Sequence, residues 1–265
     1  ACNTAVGFNS LVQSTTSSLN TAVGRQTLFA NTTGTSNTAV GALSLDAATS
    51  GSYNTGTGYA SLSILTTGTF NVASGYIAGN GITTGSCNVA LGAHSLATST
   101  AASHNTAVGA CASNANTTGD HNASLGFTAL RSNTAGTNNT AIGSNALTTA
   151  STGCRNTSMG YISGTAVTTG CNNTFMGYGA GMRFTTGDNN IAIGCAAGCG
   201  STSPGGQFTT QDNRIIMGNG SHTNAYIKIA WTVTSDLRDK TNFGTVPHGL
   251  DFVNKLEPVS FQFKK

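Results

Sequence analysis

An asparagine opens a near-identical five-residue word every 17 residues: Asn3, Asn20, Asn37, Asn54, Asn71, Asn88, Asn105, Asn122, Asn139, Asn156, Asn173 and Asn190. No insertion or deletion interrupts these twelve copies. The word reads NTAVG at Asn3, Asn20, Asn37 and Asn105, and NTAIG, NVALG or NIAIG at others. Its closing glycine runs from Gly7 to Gly194 at the same step. A thirteenth, irregular copy, RIIMG, ends at Gly218 after an insertion that contains Pro204, Gly205 and Gly206. Further columns hold between the words. The residue five before each Asn is Thr in ten of eleven cases, and the residue three before is Gly in nine of eleven. Eight residues after the Asn stands Leu or Gly in eleven of twelve.

Such a period leaves few architectures open. Helical repeats need roughly 33 residues or more, so 17 are too few. They suffice for two short strands and two tight turns. Within the word, Thr4 and Val6 alternate with Ala5, the period of a strand. Gly permits the backbone of tight corners, and Asn tolerates left-handed geometry. The expectation is all-β: a parallel β-solenoid or β-roll of 17-residue coils, with identical residues stacked about 4.8 Å apart. An asparagine column then forms a hydrogen-bond ladder. A coil this narrow, filled by Ala, Val and Gly, has little interior. Packing several chains by their apolar strands would add what one chain lacks, so a homo-oligomer is expected, a homotrimer first.

Composition agrees with stacking. Charged residues are 7% of the chain, against about 25% in ordinary domains. A charged column repeated at about 4.8 Å would repel itself at every coil. Residues 1–218 hold nine of the nineteen charges, residues 219–265 hold ten, and no lysine precedes Lys228. Five scattered arginines before residue 218 make no basic footprint, which argues against nucleic-acid binding. No run of about 20 apolar residues exists to span a membrane as a helix. The reading divides the chain into a repeat shaft (1–218), a junction strand region (219–234) and a C-terminal segment (235–265).

Seven cysteines cannot all pair within one chain. Cys154 and Cys171 share a column on adjacent coils. That places them within disulfide reach or makes them small apolar fillers. Cys87, His104 and His121 share the column just before the Asn. They read as a turn or packing column, with metal binding the alternative; no metal or cofactor is expected. His94, His222 and His248 read as ordinary surface or turn residues. Aromatics recur directly after the word's glycine: Phe8, Tyr59, Tyr76, Phe127, Tyr161 and Tyr178. They stack for stability or, if exposed, contact sugar. Sequons such as those at Asn31 and Asn116 arise by chance in an Asn- and Thr-rich chain.

Two resemblances add to this reading. The NTAVG word resembles the N-x-x-A-I-G repeats of trimeric autotransporter adhesin heads, which form trimeric β-rolls with a shorter coil. The stretch NRIIMGNGSHTNAYIKIAWTVTSDLRDKTNF from Asn213, followed by LDFVNKLEPVSFQFKK, resembles the junction of bacteriophage tail fibres and tailspikes. That junction leads into a C-terminal intramolecular chaperone of the endosialidase type. The carrying motif is Ser-Asp-x-Arg-x-Lys, at Ser235, Asp236, Arg238 and Lys240, with Asp239 between; the ending from Leu256 to Lys264 fits the same domain. The resemblance implies a short α+β segment at 235–265, read as the truncated start of the chaperone. It also implies a single self-cleavage at Ser235–Asp236, with Ser235 as nucleophile and Lys240 as general base. Without that chemistry, Ser235 is a helix N-cap on a charged surface.

The leading expectation is therefore a viral structural protein: a trimeric tail-fibre or spike shaft that serves host attachment. Its partners would be its own copies, other virion tail proteins and a host cell-surface receptor, glycan among the candidates. It would assemble in the host cytoplasm and act outside the cell on the virion. A bacterial adhesin head and an ice-binding solenoid built on the threonine column are the alternatives.

Overall fold

A computed structural model describes residues 2–200 and 206–225. Ala1–Thr223 forms one unit, and a second unit starts at Asn224. Within the first, each word is a three-residue strand. Thirteen of them, from β1 (Thr4–Val6) to β13 (Ile215–Met217), form one parallel sheet in strict chain order. The register pairs like with like: Thr4 with Thr21, Ala5 with Ala22, Val6 with Val23. The insertion leaves it undisturbed, because Ile191 still pairs with Ile215. The fold is the expected all-β parallel solenoid. The α+β character read for 235–265 falls outside the described residues.

The coil differs from expectation in one respect. It holds one strand, not two. Three positions per turn take left-handed backbone, in one coil Asn138 (φ 59°), Asn145 (φ 57°) and Leu147 (φ 48°). Three such residues break any second extended run. The far arm is joined to its neighbours instead by isolated bonds, for example Thr117 N–H to Thr134 O at 2.9 Å and Thr134 N–H to Ser151 O at 2.9 Å.

The strand's middle residue points inward. Ala22, Ala39, Ala73, Ala107 and Ala141 are fully buried, while Val6, Val23 and Val40 on the same strands are exposed. Facing the alanines is the column of Leu or Gly: Leu28, Leu45, Leu62, Leu96, Leu130 and Leu147 are fully buried, all at φ between 47° and 53°. That backbone costs an L-residue roughly 1–2 kcal/mol. Full burial of a leucine returns about 1.5–3 kcal/mol, so leucine is tolerated and glycine is the relaxed alternative. The choice between them follows volume. Phe175 takes the place of alanine in β11 (Thr174–Met176), with glycines on the column beside it. A Cβ on Gly164 would lie 2.8 Å from the Phe175 ring, and one on Gly181 only 2.2 Å.

The buried asparagines join coil to coil. Asn105 is 1% exposed. Its Oδ1 accepts the Asn122 N–H at 2.9 Å, and its Nδ2 donates to Gly119 O at 2.9 Å. Its own N–H donates to Asn88 Oδ1 at 3.0 Å. The same pattern runs from Asn3 to Asn190, whose Oδ1 accepts the Arg214 N–H at 3.0 Å. The glycine that receives the Nδ2 bond lies against the next coil: a Cβ on Gly119 would sit 2.3 Å from Gly136 O. A second ladder uses threonine hydroxyls, as in Thr117 Oγ1 to Thr134 O at 2.8 Å.

Two predictions follow from this core. Asn105→Ala leaves the Asn122 N–H buried without a partner, while the Gly119 carbonyl keeps the Asn116 Nδ2 donor; the loss should be about 1–3 kcal/mol in urea unfolding. Gly181→Leu should destabilise far more than Gly181→Leu combined with Phe175→Ala, which restores the common Ala–Leu pairing. Additive losses in thermal melts would show that the two positions do not share space.

Candidate functional site

The sequence-derived catalytic residues Ser235, Asp236 and Lys240, with Arg238 and Asp239, lie outside the described residues, as does His248. What the described residues show is the surface that the repeat builds ahead of them.

The column preceding the asparagine sits at a left-handed turn: Tyr53, Phe70, Cys87, His104 and His121 all have φ between 59° and 61°. Side chains there project outward and stack along the rod. Tyr53 and Phe70 are parallel with ring centroids 4.9 Å apart, and His104 and His121 are parallel at 4.8 Å. Among the described residues no group of three His, Cys, Asp or Glu is placed to hold a metal ion.

The column after the word's glycine stacks in part. Tyr59 and Tyr76 lie 5.6 Å apart, Tyr161 and Tyr178 5.7 Å, and the His94 ring meets Tyr76 edge-on at 5.4 Å. These rings remain about half exposed, so they stack and face solvent at once.

Two before the asparagine, the side chain accepts the N–H of the preceding coil wherever it is Asp, and at Ser52, Ser86 and Ser103. Asp120 Oδ1 takes the Ser103 N–H at 2.7 Å, and Ser52 Oγ takes the Thr35 N–H at 3.0 Å. Cys154 and Cys171 occupy this column and form a disulfide between adjacent coils, Cα atoms 4.7 Å apart. The other described cysteines are free thiols, of which Cys2, Cys87 and Cys195 are exposed. Cys199 is buried with its Sγ donating to Gly179 O at 2.7 Å; burial pushes its pKa up and keeps it a thiol.

Two further groups bear on chemistry. The Asp46 carboxyl is half-buried between Phe29 and Ser63 in its column, and desolvation pushes its pKa up. Among the described residues no cation contributes to that shift. Asn31 and Asn116, both sequon asparagines, are fully buried. Their Nδ2 groups donate to the carbonyls of Gly34 and Gly119.

The repeat breaks once among these coils. The step from Asn190 to Arg214 is 24 residues. Beside the extra residues lies an open groove of about 460 Å³, floored by Ile162, Ala166 and Met182 and edged by Thr165, Arg183, Gln207 and Thr209. Reading the columns alone misses this groove. The signal was the insertion itself, since insertions in solenoids collect on one face.

Downstream of the last coil the chain changes character, with ten of its nineteen charges after residue 218. Residues 235–265 match the family model described as chaperone of endosialidase. No curated protein and no solved structure matches the chain. The match opens on Ser235, the residue at which the Ser-Asp-x-Arg-x-Lys motif starts. The chain thus runs from a parallel β-solenoid into a segment that matches the endosialidase-chaperone family model. Among the described residues no helix is long and apolar enough to cross a membrane.

The disulfide makes a direct prediction. A 17-residue closed loop corresponds to about 3 kcal/mol in the chain-entropy description. Cys154→Ser should lower stability by up to that amount under non-reducing conditions. Wild type treated with a reductant should converge on the variant; an unchanged wild-type curve on reduction would show the pair to be unlinked.

Proposed function

We propose that this chain is the shaft of a trimeric bacteriophage tail fibre or spike used in host attachment, trimerised with the help of its C-terminal chaperone segment. The observation that carries this reading is the order of parts: a stack of self-complementary coils followed directly by a segment that matches the endosialidase chaperone. A solenoid whose every coil pairs with near-copies of itself needs a device that sets chain alignment before stacking begins. A chaperone domain that joins three chains first supplies it. The partners are then two further copies, the neighbouring virion tail proteins and a host surface receptor, with glycan a fitting class. The mature protein would sit on the virion, outside the cell, after assembly in the host cytoplasm.

The threonine column bears on the ice-binding alternative. Its hydroxyls donate to the next coil's carbonyls, as from Thr32 to Thr49 O at 3.0 Å and from Thr83 to Thr100 O at 2.9 Å. The column therefore has a structural use inside the stack.

Release of the chaperone would be a single self-cleavage at the Ser235–Asp236 junction. Ser235 Oγ attacks the carbonyl carbon of the peptide bond that is cut, Lys240 takes the hydroxyl proton and passes it to the departing backbone amine as the C–N bond breaks, and water then hydrolyses the ester and frees the Ser235 hydroxyl. An amine serves as base only with its pKa lowered by burial or a nearby cation, and a free serine hydroxyl is a weak nucleophile. Both conditions can be met in an assembled trimer and absent from a lone chain, so cutting would report correct assembly. The test uses a chain extended by a complete downstream chaperone domain. Wild type should be cut near Ser235, while Ser235→Ala and Lys240→Ala stay whole, by mass spectrometry of the products. Equal processing of wild type and Ser235→Ala removes Ser235 from the mechanism.

A further inference from the structure

The strands carry a stripe that one chain leaves uncovered. Each strand's third residue points outward, and Val6 is 58% exposed, Leu125 50% and Met217 58%. Two residues on, past the glycine, stand the side chains of the aromatic column, with Phe8 70% and Tyr178 57% exposed. Exposed apolar residues scattered singly need no explanation, whereas a continuous run of them does. Here exposed apolar side chains recur on this stripe from β1 to β13, with Leu91, Val108 and Ile142 half-buried between them.

Charge is nearly absent from this stripe. Of the nine charged side chains before residue 219, only Arg25 lies on it. Asp120, Asp188 and Arg155 lie on the columns that precede the asparagine instead. A surface that meets water alone would gain from charge. One that meets its own copy is better without it, because identical charges brought together across a symmetric contact repel.

Volume on the stripe is also regulated. Where the outward strand residue shrinks to Thr57 or Ser74, the residue past the glycine is Tyr59 or Tyr76. Where the latter shrinks to Ala42, Ala93, Ala110 or Ser144, the former is Val40, Leu91, Val108 or Ile142. Where both are large, at Met159 with Tyr161 and Met176 with Tyr178, the strand residue is an adaptable methionine; Val6 with Phe8, Val23 with Arg25 and Leu125 with Phe127 are the exceptions. In the twelve regular coils, none is small at both positions. Solvent imposes no such rule on Ser74 and Tyr76, both exposed. A close-packed contact does, since an unfilled void forfeits contacts. The same compensation operates inside the coil, where Phe175 is matched by Gly164 and Gly181.

We infer that this outward stripe is the surface on which copies of the chain pack, same-numbered coils side by side, so that each coil contributes one filled layer to a common axis. This rests on the trimer reading above and names the face that carries it.

The test uses wild-type full chain and its native thiols. Cys195 lies on the stripe, Cys87 lies off it, and both are exposed in the single chain. The protein is sized by light scattering and alkylated under native conditions, and the labels are mapped by mass spectrometry. The expected result is a trimer in which Cys195 reacts several-fold more slowly than Cys87, the difference vanishing in denaturant. Equal native rates in a trimer overturn the face assignment and leave the trimer standing. A monomer overturns the trimer reading itself. Two variants give an independent readout. Leu125→Glu, at a position already half exposed, should dissociate the assembly while keeping the β-rich circular dichroism spectrum. Thr118→Glu, the same charge on an exposed turn off the stripe, should not. A trimer that survives Leu125→Glu unchanged overturns the assignment, as does equal dissociation by both variants.

Discussion

The structure depends on one carboxamide per coil. An asparagine side chain has an acceptor and two donors on one rigid plane. In Asn105 the acceptor serves the next coil's backbone and a donor serves the glycine carbonyl that closes the turn of its own coil. A single residue thus joins two coils and shapes the corner of one. Fully buried, the group is costly to leave unmatched and strong when matched. Twelve copies at one height in every coil turn a flexible 17-residue loop into a ruler. Aspartate has the same shape but carries a charge and lacks the donor, which accounts for its absence from this column.

With coil-to-coil geometry set in that way, every other column must tolerate its own copy at strand spacing. This accounts for features that look unrelated in the sequence. Glycine recurs where the next coil's backbone comes within 3 Å of a would-be Cβ, as at Gly119 against Gly136. Charge is rare, and Asp188 beside Asp212 is the one pair of like charges stacked in a column among the described residues. Aromatic rings in one column meet on adjacent coils, as Tyr53 meets Phe70 and His104 meets His121. The buried core has two apolar stretches, separated where Ser113 bonds Ser124 at 2.9 Å and Asn133 bonds Asn116 at 2.9 Å. Even these polar substitutions come in pairs on adjacent coils, each answering the other.

Much of this was legible from the period. The parallel stack, the like-with-like register and the asparagine ladder all follow from an Asn and a Gly recurring at 17. The single strand per coil was not, because left-handed backbone at Leu28 or His104 has no residue-type signature: propensity favours Gly or Asn there, burial overrides it at Leu28, and the exposed His104 holds it with its ring stacked on His121. The Leu-or-Gly column was visible as a pattern, but its cause is a conformational cost offset by burial. The groove near Arg183 belongs to no column, so only the insertion pointed toward it. The candidate chemistry at Ser235 and Lys240 was read from a motif, a form of information independent of the repeat.

A perfect repeat has no origin. Any coil could seat on any other, and three chains that began one coil out of step would lose little at the start and carry the error to the end. Phe175 removes that degeneracy within the chain. Its ring lies where the facing column is glycine, at Gly164 and Gly181 with Gly198 beyond them, and one coil toward the N-terminus it would meet Leu147. The 24-residue step before β13 acts in the same sense. These interruptions work as index marks on an otherwise uniform scale: they sacrifice regularity at two places and give every other coil an address.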